Sequence, residues 1–365
     1  MVQLVLDKTF RKCILLQVLC LVIFLASANA SWRSKQKDPE PTPPDLLLDG
    51  GRKLVFERAF ASEREVKIKK GFWTKLVDIV AGEPDYHYLV RPYGIVADSH
   101  GRLIVTDPGA RGVHIFDFGQ QKYKFLQRWD KDKDPMLSPQ CVAVDAQDRI
   151  YVTDSESGKI FVFDASGKFQ HALGSLHGGE GYFKRPTGIG VDSEGQHIYV
   201  TDTLRDQVFI LDMKGAVVKT IGQRGTGNSE FNFPADLLFG SDGLSVVDTM
   251  NSRIQNFDRS GVFLSAMGSA GEEPGQLFRP KGIAKDSEDH LYIVDALQSS
   301  VQVFNSEGQL LYSFGGRGSR LGEFSLPVGL SIDHSDRIYV VDSYNRRVQV
   351  FHYFPAPKVA EGEKH

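Results

Sequence analysis

The sequence predicts an all-β fold: a six-bladed β-propeller of four-stranded antiparallel blades, closed by an N-terminal strand and carrying one short helical insertion. Three observations predict it. Six prolines, Pro92, Pro139, Pro186, Pro234, Pro280 and Pro327, open a recurrent phrase at intervals of 46 to 48 residues. A second series, Asp107, Asp154, Asp202, Asp248, Asp295 and Asp342, closes the second apolar run of every copy in the same register. Two series held in step mark repeats of one unit rather than two domains. Within a unit the hydrophobicity alternates: "GIGVD", "IYVTD", "VFILD" and "VVKTIG" in the third copy, separated by short polar turns. That is the signature of four half-buried strands too short to stand without neighbours.

The turns follow. Gly101, Asp148, Gly195, Gly243, Asp289 and Asp336 are suited to the left-handed position of each first turn, and Gly119, Gly167, Gly215, Gly261 and Gly308 to that of the second. The sixth copy lacks the second glycine and ends after its third strand at "RRVQVFHYF". Its missing strand stands at the other end of the chain, where "RKLVFERAF", residues 52–60, has the pattern of the fourth strands elsewhere. Pairing the two closes a ring and leaves no long unpaired edge.

The flanks differ in composition. Lys8, Arg11 and Lys12 precede the apolar run "CILLQVLCLVIFL", and small residues follow in "ASANAS". This pattern makes residues 1–30 a secretory signal peptide and the chain an exported one, periplasmic or extracellular; the alternative is an uncleaved membrane anchor. Cleavage would leave Cys141 as the sole cysteine, so no internal disulfide is expected. Residues 31–44, with Pro39, Pro41, Pro43 and Pro44 among charges, form a spacer. The body is expected over residues 45–354 and a disordered tail over 355–365. A net charge of -3 provides no basic field for nucleic acid, so nucleic acid is not an expected partner. A monomer is expected.

The phrase of proline, small residue, glycine and apolar-x-apolar-Asp, continued by "IYVTD" and an "NxRIQxF"-like third strand, resembles the NHL repeat over residues 91–354. Its clearest copies are "LPVGLSIDHSDRIYVVDSYNRRVQVF" and "RPTGIGVDSEGQHIYVTD". The fourth copy departs from the pattern at Asp236, where glycine is usual, and at Gly240, where aspartate is usual. The resemblance implies the propeller fold and, through its strand order, a top face shared by the proline segments and the loops after the six aspartates. Function has to be argued from the site, because propellers host unrelated activities.

On that face the candidate ligand contacts are Arg91, Tyr93, Arg111, Gln140, Arg185, Thr187, Arg205, Asp236, Arg253, Arg279, Lys281, Tyr344 and Arg346. Eight of the thirteen are Arg or Lys, a set that steers a protein or an acidic polymer. The structural reading of the same loops is that arginines pair with the strand-ending aspartates while those carboxylates accept hydrogen bonds from loop amides.

An enzymatic reading rests on family resemblance. NHL propellers are similar to lyases that work through channel histidines and metal, and gluconolactonase-like propellers hold a metal with Glu, Asn and Asp. Here only His87 and His177 belong to top connections, too few for three zinc ligands. Asp236 and Asn251 keep the metal-dependent lactonase or lyase as the alternative. The expectation is a non-catalytic binding or scaffold propeller with no cofactor, no metal site and no catalytic residues. Cys141, at a glycine position, reads as a small buried residue of an inner strand.

One segment does not repeat. Phe60 to Pro92 spans 32 positions where Phe314 to Pro327 spans 13. Phe72, Leu76 and Val80 fall at helical spacing with Trp73 and Val77 alongside, which predicts an amphipathic helix over residues 72–80 within an insertion over 62–90. Its apolar face would lid the propeller mouth, meet a partner, or lie on a membrane surface, the last favoured by Lys67, Lys69, Lys70 and Lys75 beside Trp73. Ser62 and Glu65 are spaced as a capping box.

Overall fold

The computed structural model describes residues 40–66, 86–128, 133–176 and 181–356. Each repeat folds into an antiparallel sheet, numbered here as blades 1 to 6 in chain order. The innermost strands are Ile95–Ala97, Pro139–Val144, Pro186–Asp192, Pro234–Gly240, Pro280–Lys285 and Pro327–Ile332, and they touch in a closed ring around a channel. In blades 2 to 6 the opening proline pairs with the strand-ending aspartate, as in Pro186 with Asp202 and Pro327 with Asp342. The two periodic series of the sequence are therefore one structural joint.

Burial follows strand position. Second and third strands such as Ile150–Asp154 and Lys159–Phe163 are buried throughout, because apolar residues of neighbouring blades cover both their faces. Fourth strands such as Val217–Ile221 are exposed over most of their length. The core is thus a set of interblade layers rather than one central mass.

The ring closes as the sequence predicts. Lys53–Phe60 pairs antiparallel with Arg347–Phe354, from Lys53 opposite Phe354 to Phe60 opposite Val348, with a bulge between Phe56 and Arg58. Phe60 is buried against Phe116 and Phe118, so the closing strand also reaches blade 1. Blade 6 differs from four-strandedness: Leu46–Leu47 adds a fifth strand outside the closing one. The Pro-rich stretch is drawn in as well, since a Cβ on Gly322 would meet the Pro43 ring at 2.9 Å.

Two turns correct the expected positions. In blade 3 the left-handed residue is Gln196 rather than Gly195, because that turn is one residue longer. In blade 1 Gln121 takes the positive φ instead of Gly119, after Gln120 N–H donates to Asp117 Oδ1 at 2.7 Å and extends the turn. The capping box at Ser62 and Glu65 forms, but it opens a single 3-10 turn, Glu63–Glu65. The helix expected over residues 72–80, with Phe72, Trp73, Leu76, Val77 and Val80, lies outside the described residues, as does His177. Among the described residues no helix is long and apolar enough to cross a membrane.

Candidate functional site

The six strand-ending aspartates are fully buried and spend their oxygens on the loops around them. Asp107 accepts from the amides of Val90 and Arg91 at 2.6 and 2.9 Å, and Asp154 from those of Leu137 and Ser138 at 2.8 Å each. Asp295 receives Phe278 N–H at 2.6 Å. Each carboxylate thereby staples the incoming connection to its blade, which leaves it unavailable to a ligand.

Some of the candidate arginines join these staples. Arg253 Nε lies 2.9 Å from Asp248 Oδ2 while its Nη2 donates to Gly227 O and Glu230 O. Arg205 sits 3.6 Å from Asp202 and donates to Tyr182 O. In blade 6 the same service comes from Arg347, at 2.7 Å from Asp342, and its neighbour Arg346 instead takes a left-handed turn position with φ of 56°. Arg111 holds the matching turn position in blade 1, with φ of 52°. Tyr344 and Arg91 are exposed. Gln140 is buried and donates to Ser138 Oγ at 3.0 Å, and Asn251 is spent on Gly225 O and Asp248.

Five of the thirteen candidates come together. Tyr93, Arg185, Thr187, Arg279 and Lys281 line one cavity of about 330 Å³ at the channel mouth, walled by Thr203, Phe233 and Met250. Thr187 is held there by hydroxyl contacts with Thr201 at 2.9 Å and Thr203 at 2.7 Å. Among the described residues, Arg185, Arg279 and Lys281 form no ion pair. Burial, followed by repulsion from Arg279 and Arg185, pulls the Lys281 ammonium below its ordinary range. An anion placed among the three would relieve that repulsion.

The third residue of each repeat phrase, Gly94, Cys141, Gly188, Asp236, Gly282 and Gly329, forms a ring on the inner strands, and Gly94, Cys141, Asp236 and Gly329 of it line the central cavity. Glycine is dictated there by the approach of adjacent inner strands. A Cβ at Gly188 would lie 2.6 Å from Asp236 Cα, and one at Gly94 2.6 Å from Gln140 O. The two side chains the ring does carry face each other, with Cys141 Sγ 3.7 Å from Asp236 Oδ1. Burial pushes the Asp236 carboxyl up to about 7, against a hydrogen bond from Leu237 N–H, and burial beside Asp236 pushes the Cys141 thiol well up. Cys141 is therefore a protonated, inert thiol at neutral pH.

Sequence reasoning missed two recurring devices of this architecture. In blades 1 to 3 the residue before the aspartate is Thr106, Thr153 or Thr201, whose hydroxyl accepts the amide of Gly94, Cys141 or Gly188. In blades 4 to 6 that residue is Val247, Val294 or Val341, and there a buried third-strand glutamine braces the incoming loop. Gln255 Nε2 donates to Glu230 O at 2.7 Å and Gln349 Nε2 to Glu323 O at 2.7 Å, each also reaching its blade's aspartate. The signal was legible as "VTD" against "VVD" and "IVD", and as the repeated third-strand glutamine.

Comparison with known proteins supports the fold. A family described as 6-bladed beta-propeller matches residues 140–205 and 191–270, and the NHL repeat matches residues 324–351. No curated protein matches the chain. Among solved structures, virginiamycin B lyase from Staphylococcus aureus is similar with a TM-score of 0.54 at 14% identity, over 82% of this chain and 99% of that one. A gluconolactonase from Xanthomonas campestris gives 0.55 at 17% identity, over 87% and 99%. An auxiliary nutrient binding protein from Bacteroides thetaiotaomicron VPI-5482 gives 0.54 at 14% identity, over 72% and 69%. Identities this low speak to fold alone, and the three differ in function. Repeat register, ring closure and both family matches converge on one conclusion: the chain is a six-bladed β-propeller, with an NHL repeat recognised in its last blade.

Proposed function

We propose that this protein is an exported binding propeller that captures an acidic protein segment or acidic polymer at its top face, seating one anionic group in the mouth of the channel. The observation that carries this reading is the cavity where Arg185, Arg279 and Lys281 converge without an ion pair among the described residues, beside the hydroxyls of Tyr93 and Thr187. A guanidinium pair and an ammonium at one concave, partly dry place suit a carboxylate or phosphate oxygen cluster. Arg91, exposed nearby, extends the positive rim. The test is calorimetric titration with polyglutamate at low and high salt. Saturable binding that weakens as salt rises is the expected result; no heat at low salt overturns the reading. Export is tested separately by sequencing the N-terminus of protein recovered outside the cytoplasm.

A second reading, catalysis, is favoured by one observation: a carboxyl brought to about 7 in the channel is poised to give or take a proton. Asp236 stands beside a thiol, and Asn251 is committed to the blade 4 loop, so a metal set of Asp236 with Asn251 is not assembled. Turnover of a lactone by the purified protein, lost in Asp236→Asn, would favour this reading over binding alone.

A further inference from the structure

Blade 4 lacks a part that four other blades possess. The residue two positions into the second strand is a tyrosine in blades 2, 3, 5 and 6, namely Tyr151, Tyr199, Tyr292 and Tyr339, all buried. Each ring fills the layer toward the next blade: Tyr199 stacks on Phe239 of blade 4 with centroids 4.8 Å apart. Each hydroxyl is satisfied locally. Tyr151, Tyr292 and Tyr339 donate to the turn aspartates Asp145, Asp286 and Asp333 at 3.1, 3.1 and 2.7 Å, and Tyr199 donates to Arg259 O, in the outer turn of the next blade, at 2.9 Å. In blade 1 the slot holds Ile104, and Arg102 Nη1 bridges to Ala165 O of blade 2 at 2.8 Å.

In blade 4 the tyrosine is Ser245 and the turn aspartate is Gly240, and the turn itself is shorter, with Gly240 paired directly to Gly243. Neither the ring nor the aspartate acceptor is present. What stands there is a cavity of about 410 Å³ between blades 4 and 5, lined on the apolar side by Leu238, Leu244, Met267 and Leu291. An apolar void of about 150 Å³ already suffices for a benzene ring, so size admits an aromatic guest. The polar side carries Ser245, whose hydroxyl donates to Asn256 Oδ1 at 2.7 Å, and the pair of Lys285 and Asp242 at 2.7 Å. Ser306, at the outer-turn position that Arg259 holds in blade 4, lines the same cavity.

We propose that this cavity is a binding site for a phenol-type ring, a small phenolic compound or a tyrosine side chain of a peptide, taking the place the repeat elsewhere gives to its own tyrosine. The ring lies against the leucines of blade 4, and its hydroxyl donates to Ser306 O as Tyr199 donates to Arg259 O. The site shares no lining residue with the channel-mouth cavity and is independent of its cations.

The experiment is titration of the full chain with p-cresol and, separately, with N-acetyl-tyrosinamide, followed by NMR chemical shifts and thermal melting. Two variants accompany it. Ser245→Tyr restores the missing ring, and Ser265→Phe, on the exposed outer strand at the cavity, closes the entrance from outside. Saturable p-cresol binding in the millimolar range or tighter, weakened at least tenfold in both variants, is expected, together with a raised melting temperature in Ser245→Tyr. Tighter binding of N-acetyl-tyrosinamide than of p-cresol would assign the ring to a peptide, and the reverse order to a free phenol. Absence of saturable binding by either probe, or binding unchanged in Ser265→Phe while that variant melts normally, would overturn the proposal.

Discussion

A single carboxyl group concentrates the chemistry of the channel. Asp236 stands where four of the six repeats have glycine, and burial raises it to about 7 from an unfolded value near 3.8. The sign follows from proton counts. Between these two values the native carboxyl keeps a proton that the unfolded one releases, so stability falls as pH rises from about 4 to 7 and is level above. The full shift corresponds to about 4 kcal/mol, an upper bound for this half-buried side chain. Asp236→Asn should therefore melt close to wild type at pH 4 and above it at pH 8. An equal difference at both pH values would contradict the assignment. The neighbouring glycine is constrained in the opposite sense. Gly188→Ala drives a Cβ toward Asp236 Cα, 2.6 Å away, and should cost about 1–3 kcal/mol in urea unfolding.

At the scale of elements, the closing strand is the joint on which the ring depends. Lys53–Phe60 supplies the fourth strand of blade 6, and Phe60 packs with Phe116 and Phe118 of the first blade. Phe60→Ala should destabilise the protein by about 3–5 kcal/mol. Deleting residues 45–60 should expose the edge of Arg347–Phe354 and abolish cooperative unfolding, seen as a broad calorimetric transition or aggregation. A soluble deletion variant that melts like the intact chain would contradict closure. This strand was legible in the sequence because its alternation matches the other fourth strands. The two-residue strand Leu46–Leu47 was not, since two leucines carry no period. The left-handed turn positions were read correctly where turn lengths agree, and missed at Gly195 and Gly119, where an added residue moves the strained position along the chain.

At the scale of the whole molecule, the sequence speaks clearly about architecture because six copies average out local ambiguity. It speaks less clearly about the site, because top-face arginines are identical in type whether they brace an aspartate or face solvent. The distinction depends on one position of register: Arg347 reaches Asp342, while Arg346 beside it is taken up by a turn. Only assembled blades show that Arg185 of blade 3 shares one cavity with Arg279 and Lys281 of blade 5. The central claim is that these three cations bind an anion and that the braced arginines do not. The most direct measurement is calorimetric titration of polyglutamate into three proteins: wild type, the double variant Arg279→Ala with Lys281→Ala, and Arg253→Ala. The account predicts loss of affinity by tenfold or more in the double variant with little change in melting. For Arg253→Ala it predicts wild-type affinity at a lower melting temperature. Wild-type affinity in the double variant, or greater loss in Arg253→Ala, would contradict it.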